Sequence, residues 1–369
     1  MRWFGWIFTV LLAASPAWAA QNITVEQLKA LLTTDQQAKK ADADVANDLK
    51  QVVLTEELTA PVMNSLAPLV PGSATLEQIY VLEVKSAVLA PPASDIPATP
   101  APDAATQKAL LGKAVDYASK TYAQLPTVTV TKTTTRFQDS VSGMPAFPGK
   151  HSGSADAGTD PKVASAAQAI HAINTVPTPV NIHNGIEDNP LLKDKTGWGP
   201  NGYIALLGQS PVLSTVLQEA NAADKFAWLR WENLNGKTEA VFSFAVDKKK
   251  SHYAVNYCCF PEMDQDGSIH SWYNYKATIP YHGEIFVDPD TGIVVRLITE
   301  SDFKTSDVVQ QEYQRIDYLP VAIGGKTLVL PSKSVISTEV VPTGDSGGGK
   351  SMIRHTLFTS EYKGYQAGG

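Results

Sequence analysis

The sequence has almost no cysteine: its two cysteines, Cys258 and Cys259, are adjacent in the string NYCCF. Without a C-x-x-C spacing or further ligands beside them, they make a poor redox centre and a poor metal site. In an exported protein two interpretations remain, a vicinal disulfide or two reduced and partly buried thiols. A bond between neighbours on a strand requires a kink, because their side chains point to opposite faces, and Phe260-Pro261 follows directly.

Basic stretches and enzyme motifs are also scarce. Lysine and arginine gather only at residues 248–250, and the formal net charge is -7, which makes nucleic acid a poor candidate ligand. Outside residues 344–348, no G-x-S-x-G sequence typical of a nucleophile elbow occurs, no histidine–glutamate metal cluster is present, and His252, His270 and His282 are scattered. We therefore expect a protein that is not an enzyme and that takes no cofactor, metal, nucleotide or nucleic acid.

One long hydrophobic run is present, at the start of the chain. Arg2 is followed by an apolar core at residues 6–14 and by an A-x-A sequence at residues 17–19. This order is typical of a secretory signal peptide, here residues 1–19, cleaved after about Ala19. The run is shorter than the roughly 20 residues that a membrane span needs. We expect an exported, periplasmic protein with no transmembrane segment in its mature chain.

Residues 20–90 are predicted to form a helical N-terminal region. Thr24 and Gln27 have the spacing of a capping box, and leucines follow at helical spacing. The stretch from residue 35 to residue 53 contains neither glycine nor proline, and Thr75 is suited to cap a helix that follows it. Five prolines within residues 90–105 then predict an extended connector, residues 91–105, before a helix at 106–125.

From Pro126 onward the pattern changes to strands. The string TVTVTKTTTRF alternates β-branched residues, and a long loop with one short strand is expected at 138–200. Ser210-Pro211 is suited to open a short helix, after which strands come in series, the first two joined by the hairpin signal Asn235-Gly236. Strands joined by short turns predict an antiparallel meander.

The predicted fold class is therefore α+β, with a helical N-terminal region and a sheet domain at residues 106–369. A long twisted antiparallel sheet tends to curl, so we expect a curved half-barrel covered by helices. The helices near 106–125 and 211–221 are expected to fill its concave face.

The string GDSGGGKS, residues 344–351, matches two unrelated enzyme motifs. It contains the G-D-S-G-G sequence of chymotrypsin-like proteases and also fits the P-loop pattern. A P-loop needs a helix after it, whereas the alternating residues after 351 predict a strand. The protease interpretation lacks the histidine context of that family. We expect a glycine loop that joins antiparallel strands at 333–341 and 352–361.

Aromatic residues on the predicted strands are candidates for a ligand-lining surface. They are Trp228, Trp231, Trp272, Tyr273 and Tyr275. Ordinary sheet packing is one interpretation of this set. The other is that they line a site for a hydrophobic ligand inside the curled sheet.

The segment YHGEIFVDPDTGIVVRLITESDF, residues 281–303, resembles a recurring piece of exported bacterial proteins, many of them acidobacterial. The strings IPATPAP, TTTRFQD, SHYAVNYCCFPE and IDYLPVAIGGKTLVLPSKS are similar to the same group, so the resemblance covers most of residues 94–340. This resemblance implies the helix-covered half-barrel of periplasmic lipoprotein carriers of the LolA/LolB type. Such a carrier binds a lipid or an acylated protein. The small carriers lack the long helical N-terminal segment found in this chain.

Three functional hypotheses follow. We expect a non-catalytic exported protein that binds a lipid, an acyl chain or an envelope partner in the concave face of its sheet. The alternative is a structural or protein-interaction module of the cell envelope, with a filled core and a helical region that docks a partner. A hydrolase is the third hypothesis. An empty apolar cavity inside the sheet favours the first, and a packed core favours the second.

Overall fold

The computed structural model describes residues 21–139, 170–188, 205–206, 212–263, 269–340 and 354–368, with side chains for all of these except 205–206, 256–274, 340 and 354. Within these ranges the fold is α+β, with six helices and an open ten-stranded antiparallel sheet, which confirms the predicted fold class. In the same ranges, no helix is long and apolar enough to cross a membrane.

The helices are α1 (Val25–Gln37), α2 (Asp42–Leu49), α3 (Ala60–Leu66), α4 (Ser73–Lys85), α5 (Ala104–Lys120) and α6 (Leu213–Ala223). The strands of the first half are β1 (Gln21–Ile23), β2 (Val52–Leu54), β3 (Val128–Gln138), β4 (His171–His183), β5 (Ile186–Glu187), β6 (Ala205–Leu206) and β7 (Phe226–Leu234). The second half adds β8 (Lys237–Val246), β9 (Ala254–Met263), β10 (Ile269–Thr278), β11 (Tyr281–Val287), β12 (Val294–Ser301), β13 (Val309–Ile323), β14 (Lys326–Val340) and β15 (Arg354–Ala367).

The N-terminal region, residues 21–90, contains α1 to α4 and has its own apolar core. The predicted capping box is present, since the Thr24 hydroxyl accepts from the Gln27 amide at the start of α1. Two details differ from what the sequence pattern suggests. Residues 35–53 lack glycine and proline and yet are not one helix, because Lys39 adopts a φ of 51° after α1 and Val52–Leu54 is a strand parallel to β1. Thr75 lies inside α4, and the carboxylate of Asp42 caps that helix instead.

The large sheet has the strand order β5-β4-β3-β15-β14-β13-β12-β11-β8-β7. Strands β11 to β15 form the predicted meander. The hairpin at Asn235-Gly236 is also confirmed, with φ values of 53° and 82° at the two turn residues. Both angles are positive, as a two-residue type I′ turn requires.

The meander is interrupted at β9 and β10. In a separate three-stranded sheet, β9 lies in the middle and pairs with both β10 and β6, so that in the large sheet β8 pairs directly with β11. The expectation that all strands follow one another in a single sheet was therefore wrong. The strand expected within residues 138–200 is β4, and it is longer than predicted because it pairs with β3 over most of that strand's length.

The strands on either side of GDSGGGKS are neighbours, as predicted. Lys333 to Val340 of β14 pairs antiparallel with Glu361 to Arg354 of β15. The chain is already a strand at Arg354, so the helix that a P-loop needs does not follow the motif. The glycine loop itself, residues 344–351, lies outside the described residues.

The two faces of the large sheet are covered by different parts of the chain. Helices α5 and α6 pack on one face, which we call the α5–α6 face. The N-terminal region packs on the other, which we call the N-terminal face; there Val81 and Val84 of α4 meet Tyr313 and Val335 of the sheet.

The connector, residues 91–103, runs between these two covers. It contains one short 3-10 turn at Ala93–Asp95, which lies against the edge strand β7. Near its end, the carbonyl of Pro100 accepts a hydrogen bond from the Trp231 indole of the same strand. Unpaired edge strands are sites of unwanted pairing, so this passage also protects β7.

Candidate functional site

The α5–α6 face carries the two helices that were expected to cover the ligand-binding face of the sheet. Ala114 of α5 and Val216 of α6 are fully buried over Phe242 and Ile285 of the sheet, all four at 0% exposure. Small residues on α5 allow close approach of the helix, and the large sheet residues fill the space beneath the helices. In the described part of the chain, this face is a packed core.

Trp228 and Trp231 lie together at the β7 edge of this face. Their rings are 4.9 Å apart in an edge-on arrangement, and Trp228 is 5.3 Å from the ring of Phe242. Both tryptophans are half-buried. The Trp231 indole donates to Pro100, so the pair is engaged with the protein's own core and connector.

The other three candidate lining residues belong to β10, in the small sheet. Tyr275 is half-buried and packs at the margin of the same core, and its ring centre lies 6.3 Å from that of Phe303 in a tilted arrangement. Burial raises the pKa of Tyr275 to about 12, with a further contribution from Asp307. Trp272 and Tyr273 also belong to β10, and their side chains are outside the described part of the structure. The structure thus unites Trp228 and Trp231 and places Tyr275 on a second sheet.

Cys258 and Cys259 lie in the middle of β9. The register with β10 shifts at this point, since Tyr257 pairs with Tyr275 and Phe260 pairs with Tyr273. The strand continues through Pro261 to Met263, so it does not end at the kink that we expected there. The thiols are among the side chains outside the description, and the vicinal disulfide stays a prediction.

A buried glutamate on α6, which the sequence analysis missed, ties three elements together. Glu219 is 7% exposed and accepts from the Tyr281 hydroxyl at 2.6 Å and from the His252 amide at 3.0 Å. Nδ1 of His252 lies 2.7 Å from the same carboxylate. Burial raises the pKa of Tyr281, and Glu219 raises it further, so this phenol is a stable donor. The contacts hold α6 against β11 and the β8–β9 turn.

Replacing Tyr281 with phenylalanine should destabilise the fold by about 1–3 kcal/mol, because one oxygen of buried Glu219 then loses its donor. Chemical denaturation with far-UV circular dichroism measures this. Tyr80→Phe is the matched control, since Tyr80 is 42% exposed, and it should leave stability unchanged. An equal effect of the two substitutions would contradict the role assigned to Glu219.

The N-terminal face carries a buried ionic network. Glu57, in the loop before α3, is 3% exposed and accepts from Arg296 at 3.1 Å and from Arg315 at 2.6 Å. Asp317 lies 2.5 Å from Nε of Arg296. Burial alone raises the pKa of Asp317, but the two guanidinium groups outweigh it and hold the pKa below its usual range. For Arg296, burial lowers the pKa and the neighbouring carboxylates raise it above the ordinary value.

The charges across this interface are segregated by their origin. Glu57 and Glu83 come from the N-terminal region, and their partners Arg296, Arg315 and Lys333 come from the sheet. In addition, the Tyr313 hydroxyl donates to the carbonyl of Val84 at 2.7 Å. At these pairs the N-terminal region meets the sheet with acidic groups facing basic ones, around a layer of apolar contacts. At the end of α4 the signs are reversed, since Lys85 is attracted by Asp139 and Glu339 on the sheet side.

The network continues to the β7 edge. Arg230 pairs with Glu232 at 2.7 Å and with Glu284 at 2.8 Å. Burial raises the pKa of Glu232 to about 7, against the attraction of Arg230. Burial also raises the pKa of Glu239 to about 7, with contributions from Asp288 and Asp290 in the β11–β12 turn.

A polar cavity of about 420 Å³ lies where β12 ends and β13 begins. Nδ1 of His282 is 2.9 Å from Asp302, and Nε2 faces Glu300 at 3.9 Å. The residues that line the cavity are His282, Glu300, Ser301, Asp302, Phe303, Gln310, Gln311, Glu312 and Glu339. Among the described residues, no group of three histidine, cysteine or acidic side chains is arranged to hold a metal ion.

Comparisons with family models, curated proteins and solved structures found no match to this chain. The resemblance to lipoprotein carriers therefore stays a prediction from the sequence.

Proposed function

We propose that this protein is a non-catalytic, exported interaction module of the cell envelope, whose helical N-terminal region docks a partner protein. The observation that carries the proposal is the filled α5–α6 face. Phe242 and Ile285 are fully buried beneath Ala114 and Val216, so the protein's own helices occupy the surface that a carrier would offer to its ligand. The large sheet then acts as a rigid support for surfaces on its outside.

The partner surface that we favour is the outer stripe of α4. Leu76 and Tyr80 are one helical turn apart and are 38% and 42% exposed, although the rest of this helix is largely buried. Apolar residues at i and i+4 are the anchors by which a helix binds in the groove of another protein. The opposite side of α4 is fixed to the sheet, which makes the stripe rigid before binding and lowers the entropic cost of association.

A photo-crosslinking residue at position 80 tests the proposal in the cell that produces the protein. We expect one envelope protein to be crosslinked reproducibly, and we expect the substitution Leu76→Ser to reduce this product strongly. The matched control is a crosslinker at position 319, because Leu319 is 46% exposed on the distant β13–β14 hairpin. The same products from both positions, or none from position 80, would contradict the proposed surface.

The second candidate function is binding of a lipid or acyl chain on the α5–α6 face. It is favoured by the extent of the apolar core that α5 covers, and by the position of this helix, which packs against α6 and follows the connector. In this function α5 would have to move outward, and Trp228, Trp231 and Tyr275 would contact the ligand.

Native mass spectrometry and lipid extraction of the purified protein separate the two candidates. A co-purifying lipid, with binding of a fluorescent fatty acid that a second fatty acid displaces, would support the carrier function. The interaction module predicts neither. A lipid-free protein that crosslinks from position 80 would therefore support the first candidate and exclude the second.

A further inference from the structure

Two buried glutamates face each other at the β7 edge of the N-terminal face. Glu232 of β7 and Glu239 of β8 are directly opposite in the strand register, and they are 1% and 2% exposed. Opposite residues on neighbouring strands have Cβ atoms about 5 Å apart, so two like charges there repel each other. One carboxylate oxygen of Glu239 has no hydrogen-bond partner within the described part of the chain.

The segment between α4 and α5 lies over this edge of the sheet. Val88 packs on the apolar cluster of Val241, Phe286 and Ile298, and Val241 is two positions from Glu239 on β8. The 3-10 turn at 93–95 then contacts β7. Residues 86–100, the segment that joins the N-terminal region to α5, therefore pass beside the two glutamates.

The fixed charges around the pair do not neutralise two carboxylates. Arg230 is shared between Glu232 and Glu284, while Glu57 and Arg296 act on Glu232 from the adjoining network. Around Glu239 the facing groups are Lys237, Asp288 and Asp290, and Lys237 itself lies 3.6 Å from Asp288. If both glutamates are ionised, the site carries more negative than positive charge.

We propose that Glu232 and Glu239 form a pH-sensitive clasp, in which the protonated pair holds segment 86–100 on the sheet and the ionised pair releases it. In the closed form the proton-bearing carboxyls tolerate burial. When they ionise, the charges are stabilised by water, and water reaches them only when the segment lifts.

The direction of the pH effect follows from the raised pKa values. Both glutamates titrate near 7 in the closed form and near the ordinary value of 4.5 once exposed. Between these values the closed form binds more protons, so the closed state loses stability as the pH rises from 4.5 to about 7 and levels off above. Each glutamate shifts the opening equilibrium by at most about tenfold per pH unit within this window.

Hydrogen–deuterium exchange of the full protein, with each peptide's rate divided by its unfolded rate at the same pH, measures the opening. We expect the protection of peptides from residues 86–100 to fall at least about tenfold between pH 5 and pH 7.5. Peptides from α1 should keep their protection. The double variant Glu232→Gln/Glu239→Gln should hold the segment closed across this range, while the exposed-site control Glu361→Gln should behave as wild type.

Three outcomes would overturn the clasp. These are a pH-independent protection of residues 86–100, an equal loss of protection in α1, and a double variant that keeps the wild-type pH dependence. If the double variant does not fold, the comparison of residues 86–100 with α1 in the wild-type protein still decides the question. Crosslinking from position 80 is a separate readout, so failure of the clasp leaves the proposed partner surface standing.

Discussion

Replacing Glu57 with alanine is expected to destabilise the protein by about 3–5 kcal/mol, among the largest effects of any single substitution in the N-terminal region. Glu57 is 3% exposed and pairs with two arginines that are themselves 6% and 4% exposed. Without it, Arg296 and Arg315 share the carboxylate of Asp317 as their direct ion-pair partner, in a place where they are almost wholly buried. Denaturant unfolding followed by circular dichroism gives the change in free energy.

The expected loss of stability is large because breaking a buried ion pair costs much more than forming it gains. A complete network roughly balances its desolvation cost, whereas removal of one member leaves an uncompensated charge. A double-mutant cycle with Arg315→Ala isolates the pair, and we expect a coupling energy of about 1–3 kcal/mol. As an exposed control, Glu361→Ala removes a partner of Lys363 at the surface and should have no measurable effect. A loss below about 1 kcal/mol for Glu57→Ala would show that the network is hydrated.

The same substitution tests how the N-terminal region is attached. If Glu57 serves mainly to dock that region, Glu57→Ala should loosen the region from the sheet. Protease should then cut the connector, residues 91–103, before the sheet unfolds. Glu57→Gln keeps the shape of the side chain and removes the charge, so its effect separates charge pairing from packing. We expect the glutamine variant to lie nearer to alanine than to wild type, since both arginines need a negative partner.

Local sequence signals predicted the elements of this fold well. The capping box at Thr24 and the Asn235-Gly236 turn each act through neighbouring residues, and each has the predicted outcome. The sheet itself followed from alternation of β-branched residues and short turns. The errors in the helical region have equally local causes, because Lys39 takes a left-handed conformation that nothing in its sequence requires.

Long-range pairing explains what the sequence could not provide. Glu57 and Arg315 are 258 positions apart, and neither stands in a motif, so their partnership appears only in the folded chain. The sequence also does not predict that β9 and β10 form a second sheet, because those strands have the same alternation as their neighbours. For this reason the strand pattern groups Trp272, Tyr273 and Tyr275 with Trp228 and Trp231, although the first three lie on a different sheet.

Replacing Phe242 with alanine is expected to cost about 3–5 kcal/mol, since it removes a ring that is 0% exposed at the centre of the α5–α6 face. Trp228 packs edge-on against this ring at 5.3 Å, and Ile285 of β11 is its partner across the strands. The neighbours relax only partly, so the loss contains both the transfer of the ring and the cavity that it leaves. Thermal and denaturant unfolding measure it, with Leu229→Ala on the adjacent strand as the exposed control.

This substitution also distinguishes a packed face from a ligand site. In a packed core, Phe242→Ala creates a dry apolar cavity that small hydrophobic molecules can enter, so benzene or xenon should bind to the variant and not to the wild type. In a carrier, the wild-type site already accepts apolar molecules, and loss of one lining ring should cost little stability. A change below about 1 kcal/mol, together with apolar ligand binding by the wild type, would therefore reverse the order of the two proposed functions.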